Sequence, residues 1–179
     1  MIETQRAIYK FHKKHKYPYN LPIIANTGID KISMFILVKL TFIVAKICYF
    51  YWKHTGKEKE MFYRFHLISE ELAETMDYMN KGNILGICDG FGDLTYVVIG
   101  TAVSYKLPAK EIIDEICKSN ATKEPRNLKT NIRLRDKGKS YQPPNIKEAL
   151  IKGLNRIELE ENENACNWGF RLSWKNDSC

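Results

Sequence analysis

The sequence lacks the marks of several protein classes. Its five cysteines, Cys48, Cys88, Cys117, Cys166 and Cys179, form no C-x-x-C pair. An odd total also argues against the disulfide framework of a secreted domain. No signal peptide opens the chain, and the expectation is a cytoplasmic protein. There are only four histidines. His12 and His15 lie three apart, but no further His or Cys nearby completes a metal site, so surface positions are expected. No apolar run passes uninterrupted: residues 33–52 look membrane-like, yet Lys39 and Lys46 break them. Each lysine would cost about 2.5–3.5 kcal/mol near a bilayer centre. A buried core helix is therefore expected there, with no membrane partner.

Length and composition describe an ordinary soluble chain. At 179 residues it suits one domain, or one domain with a tail. A net charge of +7 favours anionic partners. The positive residues are scattered and the centre of the chain is acidic, which argues against a dedicated nucleic-acid surface.

That centre, Leu67 to Ser119, organises the reading. Leu67, Ile68, Leu72, Met76 and Met79 recur at helical spacing, and Gly82 is placed to end the helix. Glu70 and Glu74 share one face, with Glu71 one step round. A second helix carries Asp89 and Asp93, again four apart, and the short break at 80–83 predicts antiparallel neighbours. Like charges at that spacing cost only roughly 0.2–0.5 kcal/mol per pair on a wet surface. The second helix argues against such a surface, because Asp89 and Asp93 are its only charges among apolar residues from Ile87 to Tyr105. A helix apolar nearly all round is expected to be buried. Buried carboxylates need partners, and no Lys or Arg lies between Lys81 and Lys106. A divalent cation would serve, and an all-oxygen donor set suits Mg²⁺ or Mn²⁺.

Four blocks, in order, carry a resemblance. They are Glu70-Glu71-x-x-Glu74, Asp89-Gly-Phe-Gly-Asp93-Leu-Thr-Tyr96, Lys118-Ser119-Asn120-Ala-Thr-Lys123 and Gly138-Lys-Ser-Tyr141-Gln-Pro143-Pro144. Over about residues 60–150 the chain resembles the all-α nucleotide pyrophosphohydrolase superfamily, which is MazG-like. It looks closest to the phosphoribosyl-ATP pyrophosphohydrolase-like branch. MazG proteins usually carry Glu-x-x-Asp on the second helix, where this chain has Asp-x-x-x-Asp; both spacings keep the acids on one face.

The resemblance implies an all-α, MazG-like bundle of four to five helices, completed as a homodimer or higher homo-oligomer. Residues 1–155 would be the pyrophosphohydrolase-like domain and 156–179 a C-terminal tail. It implies Mg²⁺ or Mn²⁺ held by Glu70, Glu74, Asp89 and Asp93, with Glu71 as the catalytic base. Asn120 and Lys123 would bind the phosphates of a nucleotide substrate. The implied reaction is cleavage of a nucleoside triphosphate, or a related nucleotide, between its α- and β-phosphates. Two alternatives are a phosphoribosyl-ATP pyrophosphohydrolase of histidine biosynthesis and a non-catalytic nucleotide-sensing or interaction protein. The basic stretch from Arg126 to Lys139 is expected to be a flap over the phosphates.

Overall fold

The computed structural model describes residues 2–15, 22–55, 59–123 and 138–168. Among these residues there is no strand, and the chain is all-α. The helices are α1 (Ile2–Lys14), α2 (Gly28–Thr55), α3 (Glu60–Lys81), α4 (Ile84–Ser104), α5 (Ala109–Ala121) and α6 (Ile146–Trp168). They divide into two compact units, residues 20–105 and residues 1–19 with 106–179.

In the first unit α3 packs between α2 and α4. Rings fix the α2–α3 register: Tyr51 stacks on Phe62 with centroids 5.5 Å apart, and Trp52 on Tyr63 at 4.6 Å. At the far end, Asn26 and Asn80 pair through backbone (3.0 Å) and side chains (3.1 Å). Contacts at both ends, with residue numbers running in opposite directions, make the two helices antiparallel.

The expected break between the carboxylate helices is present. Gly82 has φ of 65°, a left-handed conformation that costs glycine little. Its N–H reaches Met79 O at 3.1 Å and the Asn83 N–H reaches Tyr78 O at 3.0 Å, the paired bonds of a Schellman stop. Asn83 then caps α4, its side-chain oxygen accepting from the Gly86 N–H at 3.2 Å.

The expectation that α2 and α4 are buried does not hold. In α2 only Val38 and Ala45 are buried, and in α4 only Gly86 and Gly90. Each helix packs along one face, against α3, and leaves the rest open. An apolar circumference says that a helix prefers burial, but not which neighbours its own chain supplies. Both helices are long and apolar enough to cross a membrane by that measure alone.

In the second unit α5 packs on α1 and α6. Arg156 of α6 grips Glu111 of α5, with Nε to Oε1 at 2.7 Å and Nη2 to Oε2 at 3.1 Å. Helix α6 runs on to Trp168, so the first part of the expected 156–179 tail continues the helix. His15 is 2% exposed and lies against the Phe11 ring, centroids 4.3 Å apart, which corrects the expected surface position.

Candidate active site

Two glycines decide how closely α3 and α4 approach. A Cβ on Gly86 would lie 2.3 Å from the Tyr78 ring, and one on Gly90 would lie 2.6 Å from Thr75 Oγ1. The missing side chains let α3 settle into α4 at two points one helical turn apart. Tyr78 meets Gly86 and Thr75 meets Gly90, so the antiparallel register carried on brings Glu71 beside Asp93. Thr75 also donates to the Glu71 carbonyl at 2.8 Å.

The electrostatics agree with that register. Glu71 has its pKa raised above the ordinary 4.5, first by partial burial, then by the charges of Glu74, Asp93, Glu70 and Asp89, in that order. All five predicted acids therefore share one field, with Glu71 at its centre. Glu71 is half-buried, whereas Glu74, Asp89 and Asp93 are exposed. The expected desolvation of the aspartates is thus not supplied by this chain alone. Glu70 lies 3.5 Å from His66 Nε2. Among the described residues no ion pair reaches Glu71, Glu74, Asp89 or Asp93.

As they stand, no three of these side chains already form a ligand cage among the described residues. The donor set nevertheless fits a hard divalent cation, being carboxylate oxygens on two apposed helices, with His66 beside Glu70 alone.

Two features of the site escaped the sequence reading. His66 stands four residues before Glu70, and Tyr49 and Tyr63 flank its ring at 5.0 and 6.1 Å. The i,i+4 spacing was the available signal. The other is the Gly86-x-x-x-Gly90 pair, visible as small residues one turn apart.

Asn120 and Lys123 lie in the other unit. Lys123 is buried and donates to Asn120 Oδ1. The two motif blocks beyond the acids do come together there. Ser119 Oγ donates to Gln142 O at 2.8 Å, the Gln142 N–H to Thr122 Oγ1 at 2.9 Å, and Ser140 Oγ to Thr122 O at 3.2 Å. Lys123 Nζ also lies 5.9 Å from the Tyr141 ring centroid. Most of the expected flap, residues 126–137, lies outside the described residues, as do Phe170 and Trp174 near the C-terminal end.

Residues 49–120 match the family model of phosphoribosyl-ATP pyrophosphohydrolase. Over that stretch the chain is similar to a domain of the MazG-like, all-α nucleotide pyrophosphohydrolase superfamily. Its span begins in the last turns of α2 and takes in all of α3 and α4 and nearly all of α5, including every predicted site residue except Lys123. No curated protein and no solved structure matches the chain. The match supports a pyrophosphohydrolase, a hydrolase acting on phosphoric anhydrides.

Proposed function

We propose that the chain hydrolyses a nucleoside triphosphate, or a related nucleotide, between the α- and β-phosphates, releasing a monophosphate and pyrophosphate. The observation that carries this reading is the crowding of Glu70, Glu74, Asp89 and Asp93 around a half-buried Glu71, inside the matched stretch. Glu70, Glu74, Asp89 and Asp93 would hold Mg²⁺ or Mn²⁺, which when bound offsets phosphate charge and acidifies a coordinated water.

The remaining work falls to the chain's own residues. Glu71 accepts the proton of the attacking water as its oxygen bonds to phosphorus and the bridging P–O bond breaks. A carboxylate shifted upward toward working pH is the stronger base, and general bases contribute about 10²–10⁴-fold. Asn120 and Lys123, in the other unit, are a neutral donor and a point charge of the kind that binds phosphate oxygens. His66 helps hold the Glu70 carboxylate in place. The chain is proposed to work in the cytoplasm, without membrane or nucleic-acid partners.

The description of the matched family favours a second reading of the same site, phosphoribosyl-ATP as substrate. Both substrates present the same anhydride. Purified protein should be assayed against a nucleotide panel that includes phosphoribosyl-ATP, with Mg²⁺ or Mn²⁺ and pyrophosphate detection. Turnover of triphosphates supports the first reading, and turnover confined to phosphoribosyl-ATP supports the second. No pyrophosphate from any of them would overturn both, leaving a nucleotide-sensing or interaction protein.

A further inference from the structure

The seam between α3 and α4 continues past the carboxylates to a residue that the site described above leaves unused. Arg64 of α3 faces Gly100 of α4, where a Cβ would lie 3.9 Å from Arg64 Nη1. This carries the register of Tyr78–Gly86 and Thr75–Gly90 on to the other end of the helix pair. Arg64 stands seven residues before Glu71, and Gly100 seven after Asp93. Both are therefore two turns along the same seam, about 10.5 Å from the level of Glu71.

The donors of Arg64 are largely unspent. Its Nε is buried with no hydrogen-bond partner among the described residues. Nη2 pairs with Glu60 at 2.7 Å, and the guanidinium carbon lies 5.7 Å from the centroid of the Tyr63 ring. Glu60 is 39% exposed, and an exposed pair one turn apart is held weakly. Bare backbone at Gly100 leaves space beside the fork. A buried donor without a partner is unfavourable, so the guanidinium suits a ligand that takes more of its five N–H groups than Glu60 does.

Charge along the seam is one-sided. Helices α3 and α4 together carry one other Lys or Arg, Lys81, and it is tied to Asp77 at the opposite end. His66 lies between Arg64 and the acids but faces Glu70. A phosphate chain that extends from the acids away from Asp77 therefore meets Arg64, whose planar fork matches phosphate oxygens two at a time.

We infer that Arg64 is a specificity-determining residue, binding the terminal phosphate of a nucleoside triphosphate whose α–β anhydride lies at the acids. This rests on the pyrophosphohydrolase reading and adds a preference for triphosphates over diphosphates, which have the anhydride but no γ-phosphate. Phosphoribosyl-ATP carries the same terminal phosphate, so the assignment holds for either substrate.

The test measures binding to the full-length protein and does not need turnover. Calorimetry with Mg²⁺ compares α,β-methylene-ATP with α,β-methylene-ADP, in which carbon replaces the bridging oxygen. Wild type should bind the triphosphate analogue at least about 10-fold more tightly, the scale of a charged hydrogen bond. Arg64→Gln should close that gap by weakening the triphosphate analogue alone, and Arg64→Lys should fall between. A residue that only supports the fold would weaken both analogues alike. Because Arg64→Gln removes a partly buried charge and could unfold, Glu60→Gln supplies an independent reading. It frees the fork and should tighten the triphosphate analogue by about twofold, leaving the diphosphate analogue unchanged. Binding of neither analogue, a gap that survives Arg64→Gln, equal weakening of both, or no gain in Glu60→Gln would overturn the inference. Pyrophosphate release is followed in parallel. Turnover by wild type without the gap sinks Arg64 alone, whereas the gap without turnover sinks the hydrolase and leaves Arg64 as the anchor of a bound triphosphate.

Discussion

Glu71 is the residue on which chemistry and stability meet. Its raised pKa means that the folded, metal-free protein binds its proton more tightly than the unfolded chain does. Below the ordinary value of 4.5 both states are protonated and Glu71 has no effect. As pH rises from there through the folded-state value, stability falls, because the folded state must ionise Glu71 while partly buried and against four neighbouring acids. Glu71→Gln should remove that decline. Melting curves of wild type and variant should therefore separate with rising pH, then run parallel; a constant gap would contradict the assignment.

The same residue separates base from ligand. Glu71→Gln should lower turnover by about 10²–10⁴-fold while nucleotide–metal affinity stays nearly intact. Glu74→Gln should weaken metal binding and activity together. Calorimetry beside steady-state kinetics checks both. Equal loss of metal binding in the two variants would make Glu71 a ligand.

At the scale of elements, the α3–α4 approach depends on bare backbone at Gly86 and Gly90. In a helix, alanine is ordinarily favoured over glycine by roughly 0.8–1.0 kcal/mol. At Gly90 the new methyl would lie 2.6 Å from Thr75 Oγ1 and 3.2 Å from Thr75 Cα, so side-chain rotation alone does not clear it. Overpacking of this kind costs about 1–3 kcal/mol. Gly90→Ala should therefore lower the melting temperature and move Asp93 away from Glu71. At Gly92, two residues along the same helix, a Cβ would meet nothing within 4 Å. Gly92→Ala should stabilise by about 0.5–1 kcal/mol, which makes it the matched control. Thermal denaturation of both variants decides the point, and equal shifts would mean that the helix contact is not what constrains Gly90.

For the molecule as a whole, a cation bound only by the folded state raises stability by mass action. The gain is about 2.7 kcal/mol at a free concentration 100 times the dissociation constant. Millimolar Mg²⁺ or Mn²⁺ should raise the melting temperature, chelator should reverse it, and Glu74→Gln should blunt it. Absence of any shift, with or without nucleotide, would remove the metal from the mechanism.

How far the sequence reached follows from the range of each interaction. Helical periodicity, the Gly82 stop, the Asn83 cap and the shared faces of Glu70–Glu74 and Asp89–Asp93 are local, set within a few residues, and were legible at once. The all-α class and the antiparallel α3–α4 pair follow from those local facts and a short connection. Only the tertiary structure decided which helix faces meet. The Tyr78–Gly86 and Thr75–Gly90 contacts fix the register that gathers the acids, and they depend on shape across two elements. Burial was likewise beyond the sequence, which shows that α2 and α4 are apolar but not how many neighbours the fold gives them. Composition states what a surface favours; packing decides what covers it.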